Sequence, residues 1–323
     1  MVSICCITYN HEHFIKKALD GFLMQKTSFK YEILIHDDAS TDNTATIIRE
    51  YEKEYPDIVK PIYQTENQYS KGVKISNTYN YPRVQGKYIA ICEGDDFWTD
   101  ENKLQKQVDF LESHLDYSMC CHSSYHVDTE DNIIGIKGPF FEKGQISAQN
   151  IIVEDKGWIA TASIVFRTEV LSNTPDFFRE VVAGDYSLRL NCFSKGKVYF
   201  DKSIMSAYRI SFGEKINKDS YVYKMKLNPK KRIIERESMN IFLDKYDEYT
   251  KFKYHKYIVI AKSRNRLMIS INNADLKGIK NNEYFKDQSL KYRIGILCKI
   301  KHPFLYKIIK RVFVLLRKIR NVR

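Results

Sequence analysis

Over the first 113 residues, short apolar runs alternate with longer amphipathic segments. Residues 2–8 are apolar and β-branched, which is typical of a buried strand. Apolar side chains recur at helical spacing in residues 13–26, and a second apolar run at 31–36 predicts another strand. The pattern then predicts a helix capped within 40–42 and stopped by Pro56, strands at 60–64 and 87–92, and a helix from Asp100 to Ser113.

This alternation of strands and helices predicts βαβ units in a mainly parallel sheet. Two acidic pairs, Asp37-Asp38 and Asp95-Asp96, come directly after two of the predicted strands. Ligands of such sheets bind beyond the carboxyl ends of the strands, so both pairs stand where a binding site is expected. For residues 37–42 a simple turn and helix cap is an equally good interpretation.

The pattern is more mixed in the rest of the chain. It predicts strands near 117–121, 159–166 and 197–209, a helix at 185–195, and helices at 230–246 and 254–271. We therefore predict an α/β catalytic domain of residues 1–213 with halves of 1–113 and 114–213, then a helical appendage of 214–290 and a basic helix of 291–323.

Composition and charge narrow the class of protein. The 323 residues are 43% hydrophobic and 28% charged, which is typical of a globular protein and excludes a disordered chain. The formal net charge is +12, and eleven basic residues with no acidic one fall within 291–323. The remaining chain is close to neutral and lacks the basic character of a nucleic-acid-binding domain, so we predict no nucleic-acid partner.

The seven cysteines form no C-x-x-C pair, and most lie within apolar runs. They are typical of buried thiols in a reducing compartment and argue against a disulfide framework or a zinc site. We find neither a signal-peptide pattern nor an apolar run of the roughly 18 residues needed to span a membrane. We therefore expect a cytoplasmic protein.

Paired carboxylates at strand ends repel one another and call for a cationic partner. Mg²⁺ is commonly held by one or two carboxylates together with substrate phosphates, and Mn²⁺ accepts the same oxygen ligands. The aromatic residues Phe97 and Trp98, directly after Asp95-Asp96, favour function at that pair. We predict a divalent cation there, Mn²⁺ or Mg²⁺.

Several motifs in this order resemble the large inverting family 2 of glycosyltransferases. They are Thr8-Tyr9-Asn10, Gln25, residues 37–42, residues 86–96, residues 103–111 and, more weakly, Tyr208-Arg209. The resemblance covers about the first two thirds of the chain and implies a GT-A fold, a mainly parallel central sheet flanked by helices. It also implies that Thr8 and Tyr9 lie against a nucleotide and that Asp38 receives the uracil edge.

The same resemblance implies roles for the second acidic pair and for a later acid. Asp96 would be the direct metal ligand, with Asp95 near the ribose or a metal-bound water. Asp185, at the start of the predicted helix, would be the general base, although it is also a plausible N-cap. Lys71 or Lys74 would stand in for an arginine that often binds the diphosphate, although either is also plausible as a solvated lysine.

The resemblance is weaker for residues that would bind the acceptor, and some residues depart from the family pattern. Trp158 would stack on an acceptor sugar, but it is equally plausible as a core residue. Gly184 replaces an acid that usually precedes the base, and Ser211 follows the Tyr-Arg pair where many relatives have a metal-binding His. The Gln-x-x-Arg-Trp motif of processive synthases is absent, which favours transfer of a single sugar.

The basic tail has its own pattern. Apolar residues recur at helical spacing from 304 to 319, with lysines and arginines between them. Such a helix binds at an anionic membrane surface, and the alternative is a terminal helix docked on its own domain. We expect a peripheral location on the inner face of the cell membrane.

The function expected from the resemblance is transfer of one sugar from a nucleotide-sugar, UDP-linked, to a saccharide or lipid-linked saccharide acceptor in surface glycan synthesis. One alternative is a catalytically impaired nucleotide-sugar-binding module recruited to the membrane. A sugar-phosphate nucleotidylyltransferase is a weaker alternative, because residues 9–13 contain no glycine for a phosphate loop.

Overall fold

The computed structural model describes residues 1–138, 143–153, 159–181, 184–210 and 227–304. The chain divides into two compact units, Met1–Lys224 and Met225–Arg323. Three sequence predictions fall outside the described residues: the role of Trp158, the chemistry at Ser211 and most of the amphipathic helix at 304–319. The domain boundaries at 213/214 and 290/291 remain predictions.

The first unit is built on ten strands and six α-helices in its described part. The strands are β1 Val2–Thr8, β2 Tyr31–Asp37, β3 Val59–Tyr63, β4 Tyr88–Ile91, β5 Phe97–Trp98, β6 Tyr117–Val127, β7 Ile133–Lys137, β8 Gly144–Gln145, β9 Val165–Arg167 and β10 Lys197–Arg209. The helices are α1 Ile15–Leu23, α2 Thr44–Glu54, α3 Lys103–Ser113, α4 Ala148–Val153, α5 Phe177–Glu180 and α6 Gly184–Lys195.

The strands form one sheet in the order β3-β2-β1-β4-β9-β6-β10-β5, with β7 on β6 and β8 on β10. Strands β3, β2, β1 and β4 are parallel, as the alternating pattern predicts. In the other half β6 and β10 are parallel, whereas β9 and β5 run antiparallel to their neighbours. The parallel half brings the ends of β1, β2 and β4 to one edge of the sheet.

The core of the first unit lies between this sheet and the helices that cover it. Helix α1 buries one face, with Ile15, Ala18, Leu19 and Phe22 fully covered. The Phe22 ring meets the Trp98 ring edge to face at 4.8 Å between centroids. Six of the seven cysteines are buried and none forms a disulfide, which agrees with the sequence prediction.

The second unit contains the helices α7 Pro229–Tyr249, α8 His255–Asn272, α9 Leu276–Asn281, α10 Glu283–Lys286 and α11 Leu290–Lys301. Helices α7 and α8 match the two that the sequence predicts. Helix α7 begins at Pro229 because the Asn228 side chain accepts a hydrogen bond from the Lys231 amide at 3.0 Å and caps the helix. None of the helices among the described residues is long and apolar enough to cross a membrane.

Candidate active site

Three carboxylates gather in the turn after β4. Ligand oxygens of Glu93, Asp95 and Asp96 lie within 4.8 Å of one another. The turn is held against β1 by a hydrogen bond from the Gly94 amide to the Ile7 carbonyl at 2.9 Å. A Cβ added at Gly94 would lie 2.6 Å from Thr8 Oγ1, so only glycine allows this close approach.

Asp96 is the buried member of the cluster, with 2% of its surface exposed. Its Oδ1 accepts the Arg209 amide at 2.8 Å, and its Oδ2 is buried with no hydrogen-bond partner among the described residues. Burial and the charges of Asp95 and Glu93 raise the pKa of Asp96 well above its ordinary value. An unpartnered carboxylate oxygen among other acids fits a divalent cation, whose charge removes the penalty for ionisation.

Arg209 at the end of β10 holds this turn in position. Its Nε donates to the Asp95 carbonyl at 2.8 Å, and a terminal nitrogen donates to the Asp128 carbonyl at 2.7 Å. The guanidinium also forms a 2.7 Å ion pair with Asp131 and lies 4.2 Å from the centre of the Phe14 ring. The Arg of the weak Tyr-Arg motif is therefore a support for the acid cluster.

The predicted base, Asp185, lies in the first turn of α6 and is exposed. Its Oδ2 is 3.5 Å from a guanidinium nitrogen of the buried Arg189. Desolvation of its carboxylate and the charges of Asp95 and Asp185 raise the pKa of Glu93, whose side chain is nevertheless exposed. Asp185 is thus near enough to Glu93 for its charge to act on that carboxylate.

Lys137, on β7, is a cation that sequence reasoning missed. Its Nζ lies 3.5 Å above the centre of the Tyr208 ring. Its charge lowers the pKa of both Glu93 and Asp96, against the larger effects that raise them. A lone lysine in a short strand carries no sequence signal, and the pairing of β7 with β6 brings it near the acid cluster.

The predicted nucleotide-binding residues lie at the ends of β1 and β2. Thr8 is buried, with its Oγ1 3.1 Å from Nδ1 of His11, and Tyr9 is partly exposed. Nε2 of His11 is in turn 4.0 Å from Asp95, a contact that sequence reasoning missed. Asp38 is buried, and the Gln68 and Tyr69 amides donate to its carboxylate at 2.8 and 3.0 Å.

Residues 37–42 also form the turn and helix cap that were the alternative interpretation. Asp37 accepts a hydrogen bond from the Ser40 hydroxyl, and Asp42 accepts the Thr44 amide at 2.9 Å. Ala39 stands between them at φ +63°, in the left-handed region that favours glycine. A glycine at this position would adopt the same conformation without steric strain.

The two lysines predicted for the diphosphate have different surroundings. Lys71 is exposed and forms an ion pair with Glu66. Lys74 is partly buried and donates to the Val181 carbonyl at 2.8 Å, and burial lowers its pKa. Lys74 is therefore tied to the segment that leads into α6, whereas Lys71 stays on the loop after β3.

Comparison with known proteins decides the family. The sequence profile of glycosyl transferase family 2 matches residues 3–170, just over half of the chain. The chain belongs to glycosyl transferase family 2. The match includes the acid cluster, Thr8, Asp38 and Lys137, and it ends before Asp185.

Relatives of this family-2 chain come from several bacteria. An uncharacterised Mycobacterium bovis protein is 35% identical over 209 residues, which are 64% of this chain and 58% of that protein. The Escherichia coli protein WfaP, named UDP-Glc:alpha-D-GlcNAc-diphosphoundecaprenol beta-1,3-glucosyltransferase, is 27% identical over 66% of this chain and 78% of its own. The chain thus spans less than two thirds of the first of these relatives.

Solved structures agree on the fold of the family-2 chain. Residues 1–349 of Staphylococcus aureus TarS, crystallised with UDP-GlcNAc, superpose with a TM-score of 0.56 at 14% identity. The match covers 93% of this chain and 80% of that one. The fold is the GT-A glycosyltransferase fold.

Proposed function

We propose that the chain is an inverting, metal-dependent glycosyltransferase that moves one sugar from a UDP-sugar to a saccharide or lipid-linked saccharide acceptor. The observation that carries this proposal is the buried Oδ2 of Asp96, which has no hydrogen-bond partner among the described residues and belongs to a cluster of three carboxylates. The setting would be synthesis of a surface glycan. The family and the fold are common to many such enzymes, so the site carries the argument.

Asp96 and Asp95 are the residues that would hold the divalent cation, with Glu93 beside them. When bound, Mn²⁺ or Mg²⁺ would supply positive charge against the charge that develops on the leaving diphosphate. Arg209 keeps the turn in one conformation, so the carboxylates are set before the donor arrives. Thr8, Tyr9, Asp38 and Lys71 would border the nucleotide at the neighbouring strand ends.

Asp185 would take the proton from the acceptor hydroxyl. Its exposure suits contact with an incoming acceptor, and the buried Arg189 holds its carboxylate from one side. A hydroxyl held in line behind the anomeric carbon and deprotonated by one carboxylate displaces the diphosphate directly, which inverts the configuration. Trp158 would contribute to the acceptor side.

The named activity of a relative supports the proposed donor and acceptor. The name of WfaP gives a UDP-glucose donor and a diphospholipid-linked acceptor. A similar acceptor here would require the enzyme to work at a membrane. The basic segment 291–323 suits that task, because its cationic side chains attract anionic lipids.

Helix α11, at the start of that segment, is consistent with membrane contact. None of its twelve residues is buried, and Leu290 and Ile294 are 65% and 51% exposed. Lys291 and Lys299 on this helix would be attracted to an anionic lipid surface. Removing 291–323 should release the protein from anionic vesicles, and unchanged binding would contradict this part of the proposal.

Calorimetric titration of UDP, with and without Mn²⁺, tests the proposal on the intact protein and on Asp96→Ala. We expect UDP binding that depends on Mn²⁺ in the intact protein and that is lost in the variant. Absence of UDP binding by the intact protein under both conditions would overturn the transferase proposal. Binding without UDP release from any UDP-sugar and acceptor would favour the alternative, a binding module that lacks turnover.

A further inference from the structure

The turn between β6 and β7, residues 128–132, carries an acid that belongs to none of the motifs that resemble the family. Asp131 stands in this turn at φ +65°, a left-handed conformation that Asp and Asn adopt more readily than most residues. The Asp128 amide donates to the Asn132 carbonyl at 3.1 Å, and the Asn132 amide donates to the Asp128 carboxylate at 3.0 Å. These bonds close the turn and fix the backbone that carries Asp131.

Both oxygens of Asp131 are engaged by cations from distant parts of the chain. Its Oδ1 forms a 2.7 Å ion pair with a terminal nitrogen of Arg209, at the end of β10. Its Oδ2 accepts a hydrogen bond from Lys17 Nζ, on α1, at 2.7 Å. The Arg209 side chain is only 3% exposed, so water and salt screen its charge less than that of a surface arginine. Asp131 therefore joins α1 to β10.

Arg209 connects this carboxylate to the acid cluster. Its Nε donates to the Asp95 carbonyl at 2.8 Å, and its backbone amide donates to the Asp96 carboxylate at 2.8 Å. A buried guanidinium keeps one position when an opposite charge and hydrogen-bond acceptors engage it together. Loss of the Asp131 charge should therefore loosen the guanidinium and, with it, the backbone at Asp95.

The aromatic ring that directly follows the acid cluster is held by the same two cations. Lys17 Nζ lies 4.1 Å from the centre of the Phe97 ring, and the Arg209 guanidinium lies 5.8 Å from it. Phe97 is 7% exposed, and attraction of both cations to its ring favours this placement. Lys17 and Arg209, which Asp131 links, thus reach the turn at Asp95 and at Phe97.

We propose that Asp131, held by Lys17, is a positioning residue for the acid cluster. Acting through Arg209, it raises the affinity of the cluster for a divalent cation that it does not itself contact. Asp131 is not one of the three carboxylates, Glu93, Asp95 and Asp96, whose oxygens lie within 4.8 Å of one another. This inference rests on the proposed metal-dependent function, and it extends the metal site to a remote turn.

Calorimetric titration of Mn²⁺ alone tests this inference on the intact protein and on Asp131→Asn. Asn has nearly the same shape and tolerates the positive φ, but it offers Arg209 no charge. We expect the variant to bind Mn²⁺ about three- to tenfold more weakly. A purely structural role would lower the melting temperature and leave the affinity of the folded protein unchanged, so wild-type affinity in Asp131→Asn would overturn the proposal.

Asp116→Asn is the matched control for that titration. Asp116 also pairs with a lysine, Lys197, at 2.7 Å, but it lies just before β6, whereas Asp131 follows the other end of that strand. Its replacement should leave Mn²⁺ binding unchanged. An equal loss of affinity in both variants would overturn the proposal, because the effect would then not depend on Arg209.

Removal of a negative charge also weakens cation binding through the electrostatic field alone, and Lys17→Met separates that effect from positioning. This variant removes a positive charge, so a field effect would tighten Mn²⁺ binding. Loss of the ties to Asp131 and Phe97 should instead weaken it, by about twofold or more. Unchanged or tighter binding would overturn the proposal.

An Arg209→Met background gives a second separation of the two effects. If Asp131 acts through Arg209, adding Asp131→Asn in this background should change Mn²⁺ affinity by less than about twofold, because the connection is already lost. A field effect would persist in full, and that result would overturn the proposal. The backbone amide of residue 209 remains available to Asp96 in this background.

Amide hydrogen exchange separates this inference from the function on which it rests. The Gly94 amide donates to the Ile7 carbonyl at 2.9 Å, and the Asp96 amide donates to the Glu93 carbonyl at 3.1 Å. In Asp131→Asn without metal, exchange at these two amides should rise while exchange in β2 stays unchanged. Unchanged exchange at both amides would overturn the positioning role.

The two failures have different signatures. If the intact protein binds no Mn²⁺, the metal-dependent function fails, and the proposed effect of Asp131 on affinity fails with it, whatever the exchange shows. If the intact protein binds Mn²⁺ and Asp131→Asn binds it equally well, the function stands and this inference alone is overturned.

Discussion

The backbone amide of Arg209 donates to Oδ1 of Asp96 at 2.8 Å, although 113 positions separate the two residues in the chain. This bond satisfies one oxygen of a buried carboxylate, and the other oxygen has no hydrogen-bond partner in the described part of the chain. The last residue of β10 therefore engages one oxygen of this buried carboxylate. A cation bound at the acid cluster would have access to an Asp96 oxygen that accepts no hydrogen bond from the described residues.

Asp96→Asn should remove the stabilisation that Mn²⁺ provides. We expect Mn²⁺ to raise the melting temperature of the intact protein but not that of the variant, since only ligands that bind the folded state stabilise it. Without metal the variant should be at least as stable as the intact protein at neutral pH, because it removes a buried charge beside Asp95 and Glu93. Differential scanning fluorimetry measures both effects.

Asp116→Asn is the control for this experiment. Asp116 is an exposed acid paired with Lys197, remote in sequence from the cluster, and its replacement should leave the Mn²⁺ shift intact. A full Mn²⁺ shift in Asp96→Asn would place the metal elsewhere.

Asp185→Asn should abolish sugar transfer while leaving nucleotide binding intact. A general base contributes about 10²- to 10⁴-fold to a rate, so kcat should fall by at least about a hundredfold. Asn is also well tolerated at the start of a helix, so α6 should remain folded. Steady-state release of UDP gives kcat, and calorimetry gives the affinity for UDP. A variant with normal turnover would show that Asp185 serves only the helix.

Lys137→Met should change metal and nucleotide binding in opposite directions. Removing a positive charge near Glu93 and Asp96 strengthens the negative field on a cation, so Mn²⁺ alone should bind about two- to fivefold more tightly. The diphosphate loses a nearby cation, so UDP should bind more weakly. Titrations of each ligand alone test this. Lys87→Met, in an exposed pair with Glu112 at the start of β4, should change neither affinity.

Ala39→Gly should stabilise the protein. A non-glycine residue in the left-handed region costs about 1–2 kcal/mol, and the greater freedom of glycine in the unfolded chain returns part of this. We expect a net gain of about 0.5–1 kcal/mol in the free energy of unfolding, measured with urea. Ala18→Gly, inside α1, should instead destabilise the protein. A loss of stability in Ala39→Gly would mean that the methyl group of Ala39 contributes more than its backbone strain costs.

Lys103 should make stability depend on pH. It is fully buried, donates to Gln107 at 2.7 Å and lies 4.1 Å from the centre of the Trp98 ring, and burial lowers its pKa to about 7. Because this pKa is lower in the folded state than in the unfolded chain, the unfolded state binds more protons between pH 7 and about 10. The contribution of Lys103 to the free energy of unfolding therefore rises with pH across that window.

Comparison with Lys103→Met isolates this effect from the titration of cysteines and tyrosines. Across that window the intact protein should gain stability relative to the variant, with a slope of at most about 1.4 kcal/mol per pH unit. Urea unfolding at several pH values measures the difference. Parallel pH profiles for the two proteins would contradict a lowered pKa at Lys103.

Much of the first unit was open to prediction from sequence. In residues 2–113 the spacing of apolar residues along the chain shows which face of each strand or helix is buried, so these elements can be predicted from local sequence. The acidic pairs at the ends of β2 and β4 could be located because parallel strands must bring those ends to one edge. The buried cysteines and the α7 and α8 helices followed from the same local patterns.

Other features depend on contacts that no local pattern records. The mixed half of the sheet and the support of Asp96 by Arg209 arise from contacts between strands that are distant in the chain, and the β6–β7 pairing places Lys137 near the acid cluster. The engagement of Asp38 by the Gln68 and Tyr69 amides is of the same kind. Sequence by itself determined which residue types stand at strand ends, because the period of burial and the turn chemistry are local. Only the tertiary structure decided that one oxygen of Asp96 has no partner among the described residues, because remote backbone amides reach its other oxygen and both oxygens of Asp38.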